Sequence, residues 1–166
     1  MRRARIAVRI HATLGGLLAG GLLVLATSDA ASAAALSWNN AAGGSAATST
    51  NWNPAQVPTS ADDLTFNLAN TYAVSWNSTV NSSRTHVYRQ GTVTNTFTSP
   101  HTTSNGITIG NVAGDAATMT FTTGTWNSGG SIIVGNSSGS VGTLNVNDDD
   151  ADLLMTGTTA DMTVGS

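Results

Sequence analysis

Three groups of residues in this 166-residue chain have types and spacings that could do chemistry. The first is the acidic run Asp148-Asp149-Asp150-Ala151-Asp152. Asp148, Asp150 and Asp152 fall at positions 1, 3 and 5 of a calcium-loop spacing, and calcium favours such hard oxygen ligands. The glycine that such a loop needs next is Leu153, and its closing carboxylate is replaced by Thr159. The run therefore reads first as a solvated acidic turn and only second as a calcium site. The second group is Trp38 and Trp52, with Asp62 and Asp63 nearby. Flat indole faces match the faces of pyranose rings, so an exposed pair would suit glycan stacking. The reading that comes first, however, is that these rings cover the first rung of a stacked fold. The third group is His86 and His101 among many serines. No G-x-S-x-G elbow supports a nucleophile, and strand alternation reads His86 as an outward residue rather than a base.

Other reaction classes find less. Carboxylate-type glycoside hydrolysis needs two carboxylates at a set separation. The chain has no Glu, and Asp62, Asp63 and Asp115 are scattered. Arg84 and Arg89 could serve as the basic partner of a β-helix lyase site only by analogy of fold, which is weak warrant. No catalytic motif stands out, so the expectation is a non-enzymatic chain without a cofactor.

The elements that must position these residues are strands. Thr, Ser, Asn and Gly dominate from residue 34 onward, while Val, Ile, Leu, Phe and Trp alternate with Thr and Asn. That alternation marks half-buried strands, and Thr suits the pleat. Lys and Glu are absent, which removes strong helix formers. Beyond residue 35 two Arg face eight Asp. Such a surface does not attract nucleic acid, which needs a basic patch. There is no Cys, hence no disulfide, Cys-ligated zinc or thiol chemistry.

Residues 1–35 have the layout of a removable export signal. Arg2, Arg3, Arg5 and Arg9 precede an apolar run from Leu14 to Ala26, and small residues Ala30 to Ala35 follow. The apolar run is shorter than the roughly 20 residues needed to span a bilayer. Cleavage is expected after Ala33 or Ala35, giving an exported chain that does not cross the membrane.

The strongest signal is a repeat over 107–166. Ile107-Thr108-Ile109-Gly110-Asn111 returns as Ile132-Ile133-Val134-Gly135-Asn136 and again as Met162-Thr163-Val164-Gly165-Ser166. Thr118, Met119 and Phe121 return as Thr143, Leu144 and Val146. A period of 25 to 30 residues marks a stacked solenoid. Ile109, Val134 and Val164 should form one inward ladder, and Met119, Phe121, Leu144 and Val146 should also point inward. The longer last unit places residues 147–161 on an outward loop. Earlier, Tyr72, Val74 and Trp76 share one strand face, and residues 92–98 form another strand. Ser99 to Gly106 reads as a loop. The division expected is a signal over 1–35, a Trp-containing N-terminal cap with first strands over 36–106, and solenoid repeats over 107–166.

A signal peptide, an N-W-x-P segment at Trp52 and Pro54, an Asp-Asp-Leu-Thr-Phe strand, and units of the form h-x-h-G-N-x-x-G together resemble bacterial exported β-solenoid surface proteins. These include autotransporter passenger-like repeats and planctomycete-type proteins that carry PEP-CTERM tails or dockerins. The resemblance covers about residues 36–166 and implies an all-β, right-handed parallel β-helix at the cell surface or outside the cell. It implies a structural or adhesive role, with extracellular polysaccharide or other surface proteins as partners. The alternative is a carbohydrate-binding or polysaccharide-acting β-helix module using Trp38, Trp52, Trp76 or Trp126. Either way, downstream sequence or a partner chain is expected to cover the open rung at Val164-Gly165.

Overall fold

The structure, a computed structural model, describes residues 33–165. All but the last three residues of the expected export signal lie outside that range. Thirteen strands follow in order: β1 (Ala35–Trp38), β2 (Gly44–Ser45), β3 (Trp52–Asn53), β4 (Asp63–Phe66), β5 (Thr71–Trp76), β6 (Ser82–Tyr88), β7 (Gln90–Phe97), β8 (His101–Ile109), β9 (Ala116–Ser128), β10 (Ile132–Val134), β11 (Val141–Val146), β12 (Ala151–Met155) and β13 (Met162–Val164). Two single-turn 3-10 segments, Ser49–Asn51 and Ser78–Val80, are the remaining regular structure. Among the described residues no helix is long and apolar enough to cross a membrane.

The strands coil into a parallel β-solenoid of about five turns. One face stacks β1, β4, β6, β8, β10 and β13 in parallel. A second stacks β2, β5, β7, β9 and β11, also in parallel. A third is built from strand ends. Ser82 and Ser83 of β6 pair with Thr102 and Thr103 of β8, His101–Thr103 pair with Trp126–Ser128 of β9, and β12 pairs with Gly124–Ser128. Parallel pairing needs a long return path between partners, and the other two faces supply it. β3 alone runs antiparallel, along the outer edge of β1.

Inward positions form columns through the coil. Leu36, Leu64, His86, Ile107, Ile132 and Met162 are successive partners, as are Phe66, Tyr88, Ile109, Val134 and Val164. The expected Ile109–Val134–Val164 ladder is therefore present. On the second face Tyr72, Val93, Met119 and Leu144 make one column, and Val74, Asn95, Phe121 and Val146 the next. Met119 and Phe121 are fully buried, whereas Val146 in the same column is 45% exposed. The column position is the one expected, but among the described residues Val146 is paired with Phe121 on one side only. The polar turns stack as well: Asn136 Nδ2 donates to Asn111 Oδ1 at 2.9 Å, so the recurring Gly-Asn pairs form a surface amide ladder.

Two expectations about loops need correction. Ser99–Gly106 is not a loop, because His101–Ile109 is one nine-residue strand. Its Ser, Thr and Asn residues look turn-like, yet parallel pairing on both sides holds them extended. Residue 106 lies within this strand, which pairs with β6 on either side of it and with β10 from Ile107 onward. Finally, residues 147–161 are not one outward loop. Ala151 pairs with Gly124, 27 residues back, where the preceding strand step is 25, and Met162 pairs with Ile132, 30 back. The five extra residues are thus split between two corners, with β12 paired in register between them.

Corners demand glycine where the backbone turns left-handed against a neighbour. Gly124, at φ 91°, joins the second and third faces, and a β-carbon there would sit 2.3 Å from the Phe97 carbonyl oxygen. Gly124→Ala is expected to cost about 2 kcal/mol or more, from φ strain plus collision with rigid backbone. A lowered urea midpoint with unchanged m-value would show it.

Candidate functional site

The tryptophans belong to the interior. Trp38, Trp52, Trp76 and Trp126 are each at most 1% exposed. Trp38 and Trp52 meet edge to face at 5.0 Å, and Trp52, Phe66 and Trp76 continue the cluster. Trp38 Nε1 donates to the Asn40 carbonyl and Trp52 Nε1 to the Ala46 carbonyl. With ring faces and N–H groups both engaged inside, neither Trp38 nor Trp52 presents a surface to a sugar as it stands. Each needs to be inward because it occupies a strand position facing its neighbours' apolar columns.

His86 is also inward, against the expectation that it faces solvent. Leu64 and Phe66 point into the core, and the β4–β6 register places His86 against Leu64 and Tyr88 against Phe66. Val87 is turned outward instead. His86 meets His101 from the third face, Nε2 to Nε2 at 3.2 Å. His101 Nδ1 lies 3.2 Å from the Val80 carbonyl oxygen, which can only accept, so Nδ1 carries the proton. His101 Nε2 is then the acceptor for His86 Nε2–H and for the Ser83 hydroxyl, also at 3.2 Å. His86 Nδ1 in turn accepts from the Tyr88 hydroxyl at 3.2 Å. The result is a directed chain: Tyr88 to His86 to His101 to Val80.

Four aromatic rings enclose this chain: Phe66, Trp76, Phe97 and Trp126 all lie within 6.0 Å of one or both imidazoles. Burial holds His86 well below the ordinary histidine range, with neighbouring His101 adding to the effect. Burial likewise brings His101 down to about 4 and pushes Tyr88 well above its usual value. Both imidazoles are therefore neutral at pH 7. The Ser83–His101 pair has the atoms of a nucleophile and base, but Ser83 is 1% exposed and both imidazoles fully buried. No pocket opens among the described residues. What this arrangement does in the folded chain is satisfy polar groups inside an aromatic core and fix the three faces to one another.

Charges on the outside link rungs in a different way. Arg84 makes a bidentate ion pair with Asp63 on the adjacent rung, and Thr85 Oγ1 adds a bond to the same carboxylate at 2.7 Å. The Arg84 hydrogen bond is the main reason that the Asp63 carboxyl lies below its usual range. Arg89 pairs with Asp115 at 3.1 Å, and Asp115 also accepts from the amides of Asn111 and Val112. Burial works against Asp115 ionising, but the bonds from Arg89, Val112 and Asn111 outweigh it and its pKa is lowered. Both arginines that might have served a lyase site are occupied as rung-to-rung ties. Their partners lie 21 and 26 residues away in sequence, which is why sequence reading left Asp63 and Asp115 ungrouped.

The four aspartates of the acidic run are exposed, Asp148–Asp150 at a corner and Asp152 in β12, while Ala151 between them packs against the core. A backbone contact from Asp150 N to Asp148 Oδ1 at 3.4 Å is the one hydrogen bond these four side chains make within the described residues. No group of three or more His, Cys, Asp or Glu side chains converges there or elsewhere among the described residues. Millimolar calcium is expected to leave the melting temperature unchanged in a thermal scan, and a rise of several degrees would restore the calcium reading.

The remaining surface with regular chemistry is the outside of the second face. Thr71, Thr92, Thr118 and Thr143 are successive partners, and Ala73, Thr94, Thr120 and Asn145 form the adjoining column. Thr96 and Thr122 extend the array, their hydroxyls 3.3 Å apart. Strand geometry sets the spacing at about 4.8 Å between rungs and about 6.6 Å between outward positions of one strand. This is an uncharged array of hydroxyls and methyls, in which Thr120 is only 9% exposed and the β7–β9 register shifts between Asn95 and Thr96. Its signal in the sequence is the T-x-T-x-T pattern at 92–96 and 118–122. No family model, curated protein or solved structure matches this chain, so these features of its own geometry carry the functional argument.

Proposed function

We propose that this chain is an exported, non-catalytic β-solenoid that serves as a structural or adhesive element at the cell surface or outside the cell. The observation that carries the reading is the threonine lattice on the outside of the second face, held by a closely packed aromatic and aliphatic core. A stack of parallel rungs is stiff because its inner strands, such as β5, β6 and β7, are paired with a neighbour on each side. Its outer face offers many identical weak contacts at fixed spacing, which favours extended, repetitive partners over small ligands. Extracellular polysaccharide is the partner class that fits: its hydroxyls repeat regularly, it carries little apolar surface, and it does not require a basic patch. The glycan reading thus moves from the indoles to the threonines.

Further parts of the reading belong with it. We take the coil as right-handed, the sense that parallel strand–connection–strand units adopt. Trp38 and Trp52, with β3 folded back along β1, act as the N-terminal cap. At the opposite end Val141, Val146, Leu154, Met162 and Val164 are 45% to 72% exposed. Such an edge pairs readily with more β-structure. Val164→Lys is expected to reduce self-association at high concentration, which sedimentation would register as a smaller weight-average mass.

Pull-down on insoluble polysaccharides tests the functional reading. The chain should sediment with at least one such polymer, and Thr92→Lys with Thr118→Lys should weaken that binding about tenfold or more while leaving the melting temperature near that of the unaltered chain. Retention by the double variant equal to the original would remove the lattice from the account.

A further inference from the structure

Asp62 is 1% exposed, yet it has no cationic partner among the described residues. The two ion pairs there are Arg84 with Asp63 and Arg89 with Asp115. The sequence holds no Lys, and its other arginines all precede residue 10. Asp62 instead gathers four neutral donors. Its Oδ2 accepts from Thr59 N at 2.8 Å, Thr59 Oγ1 at 2.9 Å and Gln56 Nε2 at 3.1 Å. Its Oδ1 accepts from the backbone N of Ala34 at 2.8 Å. The Ala34 carbonyl is held too, accepting from Asp63 N at 2.9 Å. A carboxylate this buried is ordinarily matched by an opposite charge.

From this we infer that the scissile bond of maturation is Ala33–Ala34, and that the freed α-ammonium of Ala34 is the missing counter-ion of Asp62. The inference rests on the export reading above and makes it specific. In sequence, Ala31-Ser32-Ala33 presents small residues three and one before that bond, the pattern an export endopeptidase reads. Hydrolysis adds water across the bond: hydroxyl goes to the Ala33 carbonyl carbon, the C–N bond breaks, and the nitrogen of Ala34 takes the proton. At neutral pH the products are an Ala33 carboxylate, which departs with the leader, and an Ala34 ammonium. The nitrogen already bonded to Asp62 then carries the positive charge, and a neutral hydrogen bond becomes a charge-assisted one. Cleavage after Ala35, the other bond that the sequence pattern allows, would remove both Ala34 contacts and the Ala35–Asp63 partnership that opens β1. The first turn is therefore completed by processing.

The absence of Lys makes the test clean, since the α-amine would be the sole primary amine of the processed chain. The full chain is expressed in a bacterium with an export pathway, and the exported product is weighed and sequenced from its N-terminus. Ala34 as first residue is expected. Acylation of that amine should be at least tenfold slower in the folded product than in Asp62→Asn. Product acylated while unfolded, then refolded, should lose about fivefold in its folding equilibrium constant, the difference between a charged and a neutral hydrogen bond. That last measurement needs no variant and stands even if Asp62→Asn fails to fold. An exported chain beginning at Leu36 or elsewhere overturns the inference and leaves export intact. A chain that keeps residues 1–33 and is not exported overturns both. An Ala34 terminus whose acylation leaves stability unchanged overturns the ion pair.

Discussion

Lowering the pH from 7 to 4 is expected to remove about 3 kcal/mol of stability through His101 alone. In the folded chain burial depresses this imidazole to about 4, against an ordinary value of 6.5. Between those values the unfolded chain binds the proton and the folded chain does not. Stability is thus fully present above about pH 6.5, falls as the solution is acidified, and the loss is complete below the folded value. His86, fully buried and depressed further, continues the same trend to lower pH. The lowered Asp63 and Asp115 add losses only below the ordinary carboxylate value, 3.8, and those are small because their arginine partners are well exposed. Urea titrations at pH 7, 5.5 and 4 read the effect directly. An unchanged midpoint across that range would mean that the imidazoles are reached by water, contrary to their position between the three faces.

The second large effect is at Trp76. Its ring contacts Trp52, Phe66, Phe97, His86 and His101, and its Nε1 donates to Asn95 Oδ1 at 2.9 Å. Trp76→Ala empties the centre of the aromatic cluster and leaves a buried amide oxygen without its donor. The cost expected is about 4 kcal/mol, a large fraction of what a domain of this size holds in reserve. Trp76→Phe should recover part of the packing and none of the hydrogen bond. Thermal unfolding of the three proteins, followed by tryptophan fluorescence and circular dichroism, separates the two contributions.

These two effects lie in the half of the chain where sequence reading was least informative. From Ile107 onward the strand steps of the first two faces follow the visible repeat, so Ile107–Ile132–Met162 and Ile109–Val134–Val164 could be placed by alignment of the chain with itself. Before Ile107 the coil has the same form with irregular steps. Asp63 pairs with Thr85, 22 residues on, while Gln90 pairs with Ala116, 26 on. Corners of varying length erase self-similarity even though the strands remain stacked. The histidines were misplaced for a related reason. Alternation shows that His86 and Tyr88 share a face, but only the register with Leu64 and Phe66 decides that this face is the inner one. For the indoles the sequence left a rung-covering role and an exposed glycan surface both open, because they sit among polar, small residues. Burial followed from neighbours one rung away, which local composition does not reveal. The outer threonine lattice was legible as strand propensity and became a surface only once β5, β7, β9 and β11 were stacked in register. Asp62 gave no signal of its own, since its partner Ala34 lies 28 residues earlier.

The account as a whole turns on the second face being the working surface of a rigid rod. The most direct measurement is retention on insoluble polysaccharide for the original chain, for Thr92→Lys with Thr118→Lys, and for a control with Asp148, Asp149 and Asp150 changed to Asn. Binding that is lost about tenfold in the threonine variant and kept in the acidic-corner control is the result predicted. Binding that survives the lysines and disappears with the corner aspartates would contradict it and move the functional surface to the turn before β12.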